Sequence, residues 1–282
     1  GRVGSALGLE GGHAIQNSLG ALRAYYALGV RYMTLTHNVT LDWADCAADP
    51  GKHGGLTKFG EEVVREMNRL GMLVDLSHVS PETMDDALRV TEAPVIFSHS
   101  SAKALDPVAR NVPDDILKRV GPNGGVVMVT FVAEFISKAS ADANTARDKE
   151  IAALTRDVSD KAEKDRLTRE YKAAHPLPPV TLAQVADHVE HVRKVAGAAN
   201  VGLGGDYDGN SDWPESMEDV TSYPKLFAEL ARRGWSDEDL GKLASGNILR
   251  AMRQAEAVAK RLQAARPAST ATIEQLDGLR GR

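Results

Sequence analysis

Two short apolar runs in this chain end in histidine: Met72-Leu73-Val74-Asp75-Leu76-Ser77-His78 and Pro94-Val95-Ile96-Phe97-Ser98-His99. Imidazole is the commonest protein metal ligand. A histidine closing one strand often serves only to bond a loop, but two in consecutive units of the same kind favour a shared ligand role. Two carboxylates stand in comparable places. Glu10 lies in Gly8-Leu9-Glu10-Gly11-Gly12, where the glycines let other groups approach closely, and Asp206 follows the run Asn200-Val201-Gly202-Leu203-Gly204. Carboxylate with imidazole is a donor set suited to zinc and to paired hydrolytic metals. Asp206, Asp208 and Asn210 also match the first three ligand positions of an EF-hand loop. That loop needs glycine sixth and glutamate twelfth, however, and this chain has Ser211 and Met217 there, after a strand and not a helix. Calcium is therefore rejected. The sequence holds no Gly-x-Ser-x-Gly elbow, phosphate loop or dinucleotide fingerprint. His13, His53, His175, His188 and His191 have no metal-like spacing; His188 and His191 share a helical face that reads as a partly exposed polar side.

The elements that must position these groups alternate along the chain. Strands are expected near Leu9, at 31–36, in the two histidine runs, at 125–130 and at 200–204, from their length and β-branched content. Helices are expected at 18–28, closed by Gly29, and at 57–70, closed by Gly71. Ser80-Pro81-Glu82 reads as a cap, a first-turn proline and an acidic first turn. Further helices begin near 113–115 and occupy 181–196, 223–233, 237–243 and 247–262. The charged, Ala-rich stretch from Glu134 to Pro179 is too long for an ordinary connection and reads as helical excursions over one end of the sheet.

Alternating β and α elements imply a parallel sheet. The fold class expected is α/β, a (β/α)8 TIM-type barrel with about six of its eight units present. In such a barrel active sites occupy the C-terminal ends of the strands, where both histidines fall. The chain opens on Gly1-Arg2-Val3-Gly4-Ser5 without an initiator Met, and the two units short of eight are expected to precede it. Residues 1–262 are taken as the barrel, with a helical insertion at about 134–180, and 263–282 as a flexible tail.

With 282 residues, the chain has ample material for a sizeable core. A formal net charge of -5 argues against a nucleic-acid surface, and no stretch is apolar for long enough to span a bilayer. The single cysteine, Cys46, has no internal partner for a disulfide and reads as a packed free thiol. These features leave the compartment unassigned.

Several segments recur together in a telling order. They are Gly8-Leu9-Glu10-Gly11, Leu35-Thr36-His37-Asn38 with Trp43-Ala44-Asp45, Asp75-Leu76-Ser77-His78-Val79-Ser80 and Ser98-His99-Ser100-Ser101-Ala102. Arg110-Asn111-Val112-Pro113-Asp114-Asp115, Gly204-Gly205-Asp206-Tyr207-Asp208-Gly209 and Gly246-Asn247-Ile248-Leu249-Arg250 follow. In this order they resemble the membrane (renal) dipeptidase family of zinc peptidases, over the chain from its first residues to about Ala259.

The resemblance implies a site of two zinc ions bridged by Glu10, with His78 and His99 completing one ion's ligands. The second ion depends in that family on a His-x-Asp pair at an earlier strand, and no such pair precedes Glu10 here. It further implies zinc-dependent hydrolysis of dipeptides, with metal-bound hydroxide attacking the scissile carbonyl and Asp206 as proton shuttle. His37 takes the place of the carbonyl-contacting histidine. Arg110 takes that of the arginine that grips the substrate's C-terminal carboxylate. Asp208 is the reserve for the acid–base role. The expected partners are a dipeptide and, in assembly, a second copy as a homodimer. Two readings stand beside this one: hydrolysis of N-acyl amino acids by a related amidohydrolase-type site, and a chain inactive for want of the first-strand ligands.

Overall fold

The computed structural model describes residues 4–278. Its centre is a six-stranded parallel sheet in the order of the chain. The strands are β1 (Leu7–Glu10), β2 (Val30–Thr34), β3 (Leu73–Asp75), β4 (Val95–Phe97), β5 (Val126–Val129) and β6 (Val201–Leu203). Around it run α1 (Leu19–Ala27), α2 (Lys58–Leu70), α3 (Pro81–Val90), α4 (Asp114–Asn123), α5 (Lys138–Thr155), α6 (Lys161–Ala174) and α7 (Leu182–Ala196). The last part holds α8 (Tyr223–Arg232), α9 (Asp237–Gly241), α10 (Asn247–Ala265) and α11 (Ile273–Asp277). Residues of β1 and of the turn after β6, Gly8, Glu10 and Asp206 among them, line one cavity of about 390 Å³. Strands at opposite edges of the sheet meet there, so the sheet is curved like the wall of a barrel.

The expected elements appear close to their expected bounds because their local signals agree with packing. Ser18, Thr57, Ser80 and Thr181 each cap a helix by accepting an N–H in its first turn. The core-facing residues of β3, β4 and β5 fill one large apolar cluster with Phe59, Val63 and Met67 of α2 and Val185, Val189 and Val192 of α7. Val74, Phe97 and Val127 are fully buried, so these strands read as continuous apolar runs with helices on the outer side.

Gly246–Arg250 proves to be a clamp far from the C-terminal ends of the strands. Asn247 Nδ2 donates to the carbonyls of Ala198 and Val201, both at 2.8 Å, and Arg250 reaches those of Gly124 and Ala199 at 2.7 Å. Gly124 and Ala199 lie just before β5 and β6, so α10 is pinned to the entry of both strands.

Two expectations need correction. Residues 266–278 of the expected flexible tail are packed: Ile273 is buried, Arg23 donates to the Ser269 carbonyl at 2.8 Å, and Thr57 Oγ1 donates to Asp277 Oδ2 at 2.6 Å. The physical reason is a sparse but well-placed pattern, one isoleucine and a capping box at Thr272–Gln275, which composition alone does not reveal. The last four residues of that stretch lie outside the described ones. His188 is the second correction, being buried at 1% exposure and not on a polar surface. Its Nδ1 accepts the Ala102 N–H at 3.0 Å, and its Nε2–H donates to the Ile136 carbonyl at 3.1 Å. Burial pushes its pKa down to about 4, so the ring is neutral.

Candidate metal centre and substrate cleft

Glu10, His37, His78, His99 and Asp206 all leave the C-terminal ends of their strands on the same side of the sheet. Glu10, His37 and His78 each offer one ligand atom, all within 4.8 Å of one another. Glu10 Oε1 lies 3.1 Å from His78 Nε2, 3.3 Å from His99 Nε2 and 4.0 Å from His37 Nε2. The two Nε2 atoms of His78 and His99 are 2.8 Å apart.

Asp75 builds this corner from inside β3. It is fully buried, and its Oδ1 accepts the N–H groups of Ser77 at 3.1 Å and Ser98 at 2.9 Å. Its Oδ2 accepts the hydroxyls of Thr34 at 2.7 Å and Ser98 at 2.5 Å. Because the Ser98 hydroxyl proton is spent on Asp75, the 2.8 Å contact of Ser98 Oγ with His99 Nδ1 has the ring nitrogen as donor. The tautomer of His99 follows: Nδ1 carries the proton and Nε2 presents a lone pair to Glu10 and His78. His99 N–H in turn donates to Ser77 Oγ at 3.0 Å.

This assignment tests the cluster as a cation site. Burial lowers the pKa of His78 to about 4, so it too is neutral and brings a single ring proton. The hydrogen bond from His78 holds the Glu10 carboxyl well below the usual carboxylate range. Three converging atoms therefore share at most one proton between them. One oxygen and two imidazole nitrogens in that state are the donor set a zinc ion satisfies, so these residues fit a metal.

Backbone shape contributes as well. His78 and Asp206 both adopt left-handed conformations, with φ of 69° and 57°, a region that non-glycine residues enter at a cost. Each turn sends its side chain back over the strand ends. Gly209 makes room for the Asp206 carboxylate, which a Cβ there would strike, and Gly204 lets the chain leaving β6 pass close to the Ser98 carbonyl. Burial raises the pKa of Asp206, which lines both the cavity beside β1 and the main cleft. His37 is held through its carbonyl, which accepts the Cys46 thiol at 3.0 Å. The carboxylate of Asp45 gathers the N–H groups of Lys52, His53, Gly54 and Gly55 and so sets the loop that follows.

The main cleft, about 490 Å³, is lined by Glu10, His37, His78 and Asp206 on one side and by Arg110, Glu134 and Phe135 on the other. Arg110 is 8% exposed, and its Nη1 has no hydrogen-bond partner among the described residues. Its guanidinium lies 5.2 Å from the centre of the Phe135 ring, and burial pulls its pKa down to about 10, leaving it charged at neutral pH. Asn111 fixes this neighbourhood: its Nδ2 donates to the carbonyls of Asp106 and Phe135 at 3.0 and 2.9 Å, and its Oδ1 accepts the Ser101 N–H.

The chain matches the membrane dipeptidase family, peptidase family M19, over residues 1–266. It belongs to that family. Its fold is similar to that of the probable dipeptidase PvdM from Pseudomonas aeruginosa, at 23% identity and a TM-score of 0.74 over 88% of this chain and 68% of the other. A metallopeptidase from Rhodobacter sphaeroides, solved with a phosphinate mimic of the dipeptide L-Ala-D-Ala, matches at 25% identity and 0.68 over 89% of this chain. The dipeptidase AC, a metallopeptidase of family M19, matches at 25% identity and 0.68 over the same share. This chain spans 63% and 65% of the length of those last two structures.

The structure brings Glu10, His37, His78, His99, Arg110 and Asp206 to the same end of the sheet, all of them singled out in the sequence. Asp208 is absent from the main cleft and lines a neighbouring cavity instead. Sequence reasoning missed Asp75, Glu134 and Phe135. Asp75 carried a signal, a carboxylate inside an otherwise apolar strand, which is costly unless the carboxylate is bonded on all sides. Among the described residues, no helix is long and apolar enough to cross a membrane.

Proposed function

We propose that this family member is a zinc-dependent dipeptidase. The observation that carries the reading is the proton-poor cluster of Glu10, His78 and His99, of which Glu10 and His78 line one cleft with Arg110, whose buried Nη1 has no partner among the described residues. Glu10, His78 and His99 would hold the metal. Zinc, when bound, supplies a Lewis acid for the carbonyl and lowers the pKa of water.

The chain's own residues do the remaining work. Arg110 takes the substrate's C-terminal carboxylate in a two-pronged pair, which its planar donors suit and its buried, unpaired state favours. That contact fixes a carboxylate one residue beyond the scissile bond and so selects dipeptides over longer chains. His37, at the rim of the cluster, donates from its ring to the scissile carbonyl oxygen as negative charge grows there. A carboxylate oxygen of Asp206 receives the proton of the attacking water and delivers it to the leaving amine as the C–N bond breaks. The burial that raises this carboxyl's pKa makes it a better holder of that proton.

Elemental analysis of the purified protein for zinc, with hydrolysis of Ala-Ala and of N-acetyl-alanine measured in parallel, tests the reading. Zinc together with Ala-Ala hydrolysis is expected. Hydrolysis of the acylated compound alone would replace the dipeptidase reading with N-acyl amino acid hydrolysis, and absence of zinc would remove the metal from the site.

A further inference from the structure

The wall of the cleft beside Arg110 is acidic. Glu134 lines the cleft with Arg110 and immediately precedes Phe135, whose ring carries the guanidinium. Past Glu134, Gly209 and Asn210, which the two spaces share, a second cavity of about 350 Å³ opens. Its walls include the apolar side chains of Val132 and Leu177 and the carboxylates of Asp148, Asp208 and Asp212. Arg147 is spent on Asp212 at 3.1 Å, and Lys172 is the other cation at this recess. Among the described residues, Glu134 is bonded by the amide of Asn144 alone, which brings no charge. Four carboxylates thus face two cations. Burial, with Asp148 and Asp212 nearby, holds the Glu134 carboxyl above its ordinary value, as expected of an anion short of a counter-charge.

A ligand anchored by its carboxylate on Arg110, itself nine-tenths buried and with no partner for its Nη1 among the described residues, places the side chain of its C-terminal residue next to this wall. We infer that Glu134 determines specificity for that side chain, and that the preferred substrates are dipeptides ending in a cationic residue, lysine or arginine. The inference rests on the dipeptidase reading above. Val132 and Leu177 suit the methylene stem of such a side chain, and the carboxylates its charged end.

The test compares Ala-Lys with Ala-norleucine, which keeps the stem and removes the charge, on the zinc-loaded protein. A preference of about tenfold in kcat/KM for Ala-Lys is expected, the scale of one partly desolvated charge-assisted contact. Glu134→Gln keeps an acceptor for Asn144 and is expected to bring the ratio to about one; Glu134→Lys is expected to favour Ala-Glu over Ala-Lys. Calorimetric binding of free lysine and free norleucine to the wild type and to Glu134→Gln supplies a readout independent of turnover. Lysine is expected to bind more tightly, with the difference lost in the variant. If Ala-Ala is cleaved but Ala-Lys has no advantage, or the Gln variant keeps it, the inference falls and the dipeptidase reading stands. If no dipeptide is cleaved, the dipeptidase reading falls, and the lysine–norleucine comparison alone decides the role of Glu134.

Discussion

His78 and His99 follow β3 and β4, strands set in the core, and a buried carboxylate, Asp75, fixes the spacing and tautomer on their side. Glu134 and Phe135, across the cleft, lie on a short 3-10 turn leading into α5 and α6. α6 buries none of its residues, and its surface is laced with ion pairs such as Lys161–Asp165 and Arg166 with Glu163 and Glu170. The difference separates two tasks. A metal needs ligands held to within a fraction of an ångström, which packed strands and buried hydrogen bonds provide. A side-chain pocket tolerates looser construction, and connections built outside the sheet are where specificity changes at least cost to the fold.

Replacing His99 should show the division most strongly. His99→Ala is expected to lose bound zinc and to lower kcat/KM for Ala-Ala by about three orders of magnitude, the scale of a several-kcal/mol loss of Lewis-acid stabilisation. Retained zinc and activity would remove His99 from the ligand set. Ser98→Ala keeps the ligand but cuts its link to Asp75. Zinc affinity, measured by competition with a chelator, should fall about 10- to 100-fold. An unchanged affinity would show that packing alone orients His99.

His188 joins the two sides through Ala102 and Ile136, three residues after His99 and one after Phe135. His188→Ala leaves a buried N–H and a buried carbonyl unpaired and should cost about 3 kcal/mol in denaturant unfolding. KM for Ala-Ala should rise more than kcat falls, because the Arg110 loop is what loosens. Partial rescue of KM by His188→Gln separates this positioning from a general loss of stability. The smallest effect is expected at Lys161→Ala on exposed α6, where the melting temperature should stay within about a degree of wild type. A larger drop would mean that the surface ion pairs act as a network and that this side is less independent than its packing indicates.

Much of this arrangement was legible in the residues. Strands and helices announced themselves through apolar periodicity, caps and glycine stops, and the metal-facing groups through their place at strand ends. His188 was misread because a helical wheel reports which residues share a face; it does not report that a loop from another unit will cover that face. Glu134 and Phe135 escaped notice because they lie in a charged stretch with no apolar stripe, where sequence gives no hint of which residues turn inward. The left-handed backbone of His78 and Asp206 was equally hidden, since those residues gain their conformation from tertiary contacts and not from local preference.

The bond from Thr57 to Asp277 spans 220 positions, and Asp277 also accepts the N–H of Phe59 in the first turn of α2. α2 leads through Gly71 into β3 and then His78. As the chain emerges from the ribosome, the start of this helix is completed only some 220 residues after Thr57 has been made. Contacts so distant in sequence are late and slow to form. Nascent chains stopped before α11 should therefore carry the start of α2, the helix that leads to His78, in an unfinished state.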